Sequence, residues 1–218
     1  MTFPARDPER PQSLTDSAYA TLLDMILDGR LAGGTIIEER LLTEDLGISR
    51  TPLREALGRL EGERFIRRQG RRLVVHRLSE RELVQILHMR RVLEAEAAAL
   101  AAGRLPADEL QALRAAHAIF TAPAGQPRDA FWQLDTRLHG AIGRASGNTM
   151  MADAILDLRR RTKPYGMDIP PHRYAAVCEE HLAILDAIEQ DDADAARSAM
   201  LVHLDAARQD LISKISAI

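Results

Sequence analysis

The chain has 218 residues, 46 % of them hydrophobic but only 4 % aromatic, and a formal net charge of −3. That length suits one large domain or two small ones, and an Ala- and Leu-rich chain with few β-branched runs favours helix. The single cysteine, Cys178, excludes an internal disulfide framework and suits a reducing cytoplasm, and no apolar run is long enough to span a bilayer.

Residues 1–13 are polar and Pro-rich and read as a disordered leader, not a signal peptide. Leu14, Ala18, Leu22, Met25 and Ile26 then set a helical pattern, ended by Gly29 and Gly33-Gly34. Ile36 and Ile37 predict a short strand or extended segment. A helix over 38–46 turns Leu41, Leu42 and Leu46 inward. Gly47 supplies a tight turn, and Ser49 is a predicted N-cap whose hydroxyl accepts a free backbone N–H. Pro52 fits the first turn of the next helix, over 50–62. There Leu53, Ala56, Leu57 and Leu60 form one apolar face, while Arg50, Thr51 and Arg54 stand at the N-terminal end on the other side. Such an arrangement is a helix-turn-helix, whose second helix enters the major groove of DNA, where arginine grips guanine O6 and N7. The competing reading is an ordinary surface helix with two solvated arginines.

From Phe65 to Val75 the pattern is strand, arginine-rich turn at Gly70, strand, which makes a wing and completes a winged helix over 14–77. Between Arg50 and Arg77 nine arginines face three acids, a local +6 that leaves −9 for the rest of the chain. This basic stripe on an acidic protein is the electrostatic footprint of nucleic-acid binding.

Ser79 with Glu82 predicts a capping box, and from 79 to 218 only helices follow, over 79–103, 106–121, 127–146, 148–163, 171–190 and 192–216. Gly103 with Pro106, Pro123 with Gly125, Gly147-Asn148, Pro164 to Pro171 and Asp191-Asp192 mark the breaks. The Ala-rich stretch 95–102 predicts close helix packing. Asp135 and His139, four apart, share one helix face. His181 and His203 lie on later helices, each inside an apolar pattern that points it inward. A bundle can bring such side chains to a common point, and three imidazoles with one carboxylate suit a transition metal. Taken singly, each of these histidines also fits a satisfied core residue.

Together these segments resemble a GntR-superfamily transcriptional regulator of the FadR type with a C-terminal FCD domain. The resemblance rests on Glu38-Glu39-Arg40-Leu41, Ile48 to Leu57 with Arg59-Leu60-Glu61, Arg90-x-x-Leu93-Glu94, Asp135-x-x-x-His139 with Ser146-Gly147-Asn148, Glu180-His181-x-x-Ile184, and His203-Leu204. It implies a mainly α fold: an N-terminal winged helix-turn-helix over 14–77 and an all-helical antiparallel bundle over 79–218 for effector binding and dimerisation. It implies that Arg40, Ser49, Arg50, Thr51 and Arg54 face a palindromic DNA operator. Gly70, Arg71 and Arg72 would make the wing tip, which departs from the family in lacking a second glycine. The same resemblance implies Asp135, His139, His181 and His203 as ligands of one divalent metal per chain, Zn2+ first, with Ni2+ and Mn2+ as alternatives. Arg90, and more weakly Asn148, Arg159 and Arg160, would line a pocket for a small carboxylate effector; Arg90 fits equally a salt bridge with Glu94. The expected protein is a cytoplasmic bacterial homodimer that regulates transcription, with repression as the expected sense, and is not an enzyme. Two rivals are a regulator whose helical domain is metal-free and structural, and a metal-dependent enzyme acting on a small acid.

Overall fold

The computed structural model describes residues 13–120, 128–166 and 173–215. Leader residues 1–12 and the predicted helix ends at 121, 127, 171, 172 and 216 lie outside them. The chain divides into two units, residues 1–78 and 79–218.

In the first unit, α1 (Leu14–Leu27) is capped by Ser13, whose Oγ accepts the Asp16 N–H at 3.1 Å. Helix α2 (Glu39–Leu46) ends at Gly47, which turns the chain with φ 63°, a left-handed conformation that glycine adopts without Cβ strain. Helix α3 (Arg50–Gly62) buries Leu53, Ala56, Leu57 and Leu60 against Ala18, Leu22 and Ile26 of α1. Burial of that stripe fixes which side of α3 is left for solvent. Strand β1 (Ile66–Gln69) pairs antiparallel with β2 (Arg72–Val75), and Gln69 sits opposite Arg72. A two-residue turn, Gly70-Arg71, therefore closes the hairpin. Gly70 holds φ 62° at the first turn position, where such hairpins need glycine. No second glycine is required by a wing this short. The expected extended segment at Ile36 and Ile37 bridges this sheet through Ile36 and Val74.

The second unit opens with α4 (Glu80–Ala101), started by the full Ser79–Glu82 capping box. Helices α5 (Ala107–Ala118), α6 (Arg128–Ala145), α7 (Thr149–Gly166), α8 (Tyr174–Glu189) and α9 (Ala193–Ile215) follow. Ala97, Ala98 and Ala101 of α4 are fully buried beside Leu138, Ile142, Ile184, Ile188 and Met200. Small side chains let these backbones approach, so the Ala-rich stretch is close packing as expected.

Three local expectations are corrected. Leu41 does not turn inward: it is 43 % exposed, and Leu42 is the buried residue of α2. Ser49 occupies the N-cap position of α3 but makes no side-chain cap hydrogen bond. An N-cap hydroxyl takes the N–H of the second or third helical residue, and the third is Pro52, which has none. Helix α7 does not stop at 163: it carries Pro164 within it and ends at Gly166. A proline in the last turn forfeits its own N–H bond while only two residues remain to be carried.

Candidate functional site

On the winged helix, Arg40, Ser49, Arg50, Thr51, Arg54, Gly70, Arg71 and Arg72 are all exposed. Arg54 Nε donates to Glu39 Oε2 at 2.8 Å, and Arg40 Nη1 to Glu44 Oε1 at 2.8 Å. Each arginine is thus aimed by an acid on α2, in an exposed ion pair weak enough for a phosphate or base edge to replace. The unengaged Ser49 hydroxyl leaves one more polar group at the α3 N-terminus, where the helix dipole favours anions.

In the helical unit, Asp135 and His139 of α6, His181 of α8 and His203 of α9 are all buried, and one ligating atom from each lies within 4.8 Å of the others. His181 Nε2 is 3.4 Å from Asp135 Oδ1 and 3.4 Å from His203 Nε2, and His139 Nε2 is 3.6 Å from Asp135 Oδ1. Each member has an outer partner. His203 Nδ1 lies 2.8 Å from Glu180 Oε2, and His139 Nδ1 stands against Glu94 Oε2. Both partners are carboxylates and accept only, so each of these rings carries its proton on Nδ1 and turns a bare Nε2 inward. His181 Nδ1 lies 2.9 Å from His117 Nε2, and His117 Nδ1 lies 2.7 Å from the Leu113 carbonyl. Asp135 gives Oδ1 to the cluster and Oδ2 to Arg159 Nη2.

This donor set fits a divalent transition metal. Buried lone pairs converge on one point, and His139 Nε2 has no hydrogen-bond partner among the described residues. Borderline-soft nitrogen donors with one carboxylate are the ligands such ions take. Burial would raise the carboxyl of Asp135, but Arg159 and the histidines outweigh it and hold it well below the ordinary value of 3.8. Glu94 is likewise raised by burial and then held far below its ordinary value by Arg90, His139 and Arg159. Burial, aided by the neighbouring imidazoles, pushes His181 well below 6.5 and keeps it neutral, and burial also lowers His203 and His117.

Among the pocket candidates, Arg90 Nε donates to Glu94 Oε1 at 2.7 Å, and its Nη1 to Thr162 Oγ1 at 3.4 Å. Arg159 is 1 % exposed, yet its Nε and Nη1 have no hydrogen-bond partner among the described residues. Asn148 is exposed and accepts the Met151 N–H at 3.0 Å, capping α7. Arg160 pairs with Asp157 one turn away. The structure thus gathers Arg90 and Arg159 around the cluster and leaves Asn148 eleven residues up α7, about 16 Å along the helix. Sequence reasoning missed His117, and missed Glu94 as the residue that joins Arg90, His139 and Arg159.

The buried charges make the metal-free protein acid-sensitive. In the unfolded chain His117, His181 and His203 take a proton near 6.5, whereas the folded rings resist it. The unfolded state then binds more protons, so stability falls as pH drops through 6.5. Asp135 and Glu94, lowered from 3.8 and 4.5, extend that loss below pH 4.5. Chelator-treated protein is expected to melt several degrees lower at about pH 5.5 than at about pH 7.5; a flat or rising Tm in differential scanning fluorimetry would contradict the buried neutral cluster.

Known proteins carry the same two parts. Residues 14–75 match the model of the bacterial regulatory proteins of the gntR family, and residues 85–206 match the FCD domain. A protein of Escherichia coli (strain K12) named as an L-lactate dehydrogenase operon regulatory protein is 31 % identical, over 89 % of this chain and 84 % of its own length. A protein of Paenarthrobacter nicotinovorans named as a D-xylose utilization operon transcriptional repressor is 30 % identical, over 82 % of this chain and 80 % of its own. The fold is shared with the solved structure of E. coli McbR/YncC, at TM-score 0.78 and 24 % identity, covering 93 % of this chain and 99 % of that one. Among the described residues no helix is long and apolar enough to cross a membrane. With the gntR-family and FCD models matched in order along it, the chain belongs to the GntR family of bacterial regulatory proteins with a C-terminal FCD domain, and is a transcriptional regulator, not an enzyme.

Proposed function

We propose that this regulator is a cytoplasmic, homodimeric repressor of the FadR type that reads a palindromic operator and answers to a small carboxylate held at a divalent metal, Zn2+ first. The observation that carries this reading is the convergence of Asp135 Oδ1 with the histidine donors within 4.8 Å. Charge supports the effector class. Asp135 and Glu94 are balanced by Arg90 and Arg159, so a divalent ion adds two uncompensated positive charges to a buried site. An anion relieves that excess, and the Nε and Nη1 groups of Arg159, which donate no hydrogen bond among the described residues, match a carboxylate oxygen. When bound, the metal supplies an electrophilic centre for that carboxylate. Asp135, His139, His181 and His203 would hold the ion; Arg159 and Arg90 would orient the acid.

On the DNA side, Arg40, Ser49, Arg50, Thr51 and Arg54 would face the operator's major groove, with Gly70, Arg71 and Arg72 at the wing. Two-fold protein symmetry asks for a two-fold operator. Effector binding and operator binding must alter each other by the same factor, because coupling between sites is reciprocal.

A metal-free structural domain is the second reading, favoured by the Arg159 pair that already balances Asp135. Metal content of protein purified without chelator or a nickel column separates the two. About one transition metal per chain, with a Tm raised by short hydroxy acids such as lactate, is expected. Metal-free protein that takes up no Zn2+ rejects the metal centre.

A further inference from the structure

His117 lies on α5, away in sequence from every ligand, and is fully buried. Its Nδ1 is 2.7 Å from the carbonyl oxygen of Leu113, one turn back on the same helix. A carbonyl oxygen accepts only, so Nδ1 carries a proton. A neutral imidazole has one proton, and among the described residues no carboxylate is hydrogen-bonded to His117 to favour a second in this buried place. His117 Nε2 is therefore an acceptor. It lies 2.9 Å from His181 Nδ1, which must be the donor. That leaves His181 Nε2 bare, 3.4 Å from both Asp135 Oδ1 and His203 Nε2. The opposite assignment sets a bare Nδ1 of His117 against the Leu113 oxygen at 2.7 Å, lone pair to lone pair, a closer repulsion than the 3.4 Å contacts of the bare His181 Nε2.

We propose that His117 is a positioning residue of the metal centre: locked by the Leu113 carbonyl, it forces His181 to hold its proton on Nδ1 and to turn the Nε2 lone pair toward the ion. This rests on the metal-centre reading above. It also separates His181 from the other two imidazoles, whose Nδ1 protons face the carboxylates Glu94 and Glu180. A neutral outer partner orients the ring without adding negative charge to the site. Outer partners of this kind typically change metal affinity by about 10- to 100-fold when lost.

Two measurements test it. In 15N-labelled, metal-free wild type, two-bond 1H–15N correlations are expected to show His181 as the Nδ1–H tautomer; an Nε2–H tautomer overturns the relay. Zn2+ affinity, read by competition with a chelating dye, is expected to fall about 10- to 100-fold in His117→Leu. In His117→Gln, whose amide oxygen can accept from His181 Nδ1–H, it is expected to return to within about threefold of wild type, the rescue a restored acceptor should give. A folded His117→Leu with unchanged Zn2+ affinity overturns the proposal, as does a folded His117→Gln no better than His117→Leu, which would make the residue mere packing. Should His117→Leu not fold, the glutamine variant and the wild-type tautomer decide. A wild type that binds no Zn2+ overturns the metal-centre reading itself, and the tautomer in the same sample still tells whether the relay exists.

Discussion

His181→Ala is expected to abolish metal uptake and with it the thermal response to added Zn2+. His181 sits at the middle of the cluster: its Nε2 faces Asp135 and His203, and its Nδ1 faces His117. Alanine removes one of four ligating atoms and leaves a cavity among groups that are buried and polar. A ligand present at about 100 times its Kd stabilises the folded state by about 2.7 kcal/mol, which in a chain of this size raises Tm by roughly 5–10 °C. Wild type should show that rise on adding Zn2+ to chelated protein, and His181→Ala should not. The chelated proteins must also be compared with each other. Their difference reports the packing and hydrogen bond of the ring alone, with His117 Nε2 losing its donor. Full metal occupancy by mass spectrometry in the mutant, or an undiminished Zn2+ response, would remove His181 from the ligand set.

Much of this could be read before any coordinates, and the reason is local. The apolar face of Leu53, Ala56, Leu57 and Leu60 obeys helical spacing and has one way to be buried. Ser79 with Glu82 spells a capping box within four residues, and Gly70 between two short β runs spells a hairpin turn. Asp135 and His139 are one turn apart, so their shared face follows from the helix alone. What stayed hidden depends on distant pairing. His117 and His181 are 64 residues apart, and no spacing rule says which of seven histidines meet. Glu94 is legible in the sequence only as a salt-bridge partner of Arg90, yet it is 1 % exposed and touches His139 as well. The missing Ser49 cap had a signal in the sequence: Pro52 three residues later removes one of the two N–H groups the hydroxyl could accept.

On the DNA side, Arg54→Ala is expected to cost most of the operator-specific affinity while leaving metal content and oligomeric mass unchanged. A bidentate arginine–guanine contact is worth about 1–3 kcal/mol, and the proposed dimer would make it twice, so at least about a 30-fold loss follows. Part of that loss would come from an indirect source. Arg54 neutralises Glu39 at 2.8 Å in the free chain, and its removal leaves a carboxylate turned toward the approaching phosphates. The double variant Arg54→Ala with Glu39→Gln should recover that repulsive share and none of the base specificity. Arg71→Ala and Arg72→Ala make the contrast. These exposed wing residues lie at and beside the Gly70-Arg71 turn, where arginine meets phosphates or the narrow groove. Their loss should weaken binding to operator and unrelated duplex alike, and should flatten the slope of log K against log salt by about 0.9 for each phosphate contact removed. Fluorescence anisotropy at two salt concentrations, on operator and scrambled duplex, reads all of these effects. Unchanged discrimination between the two duplexes in Arg54→Ala would show that the N-terminal end of α3 does not read the bases. A wing variant that lost discrimination instead would move the specificity to the hairpin.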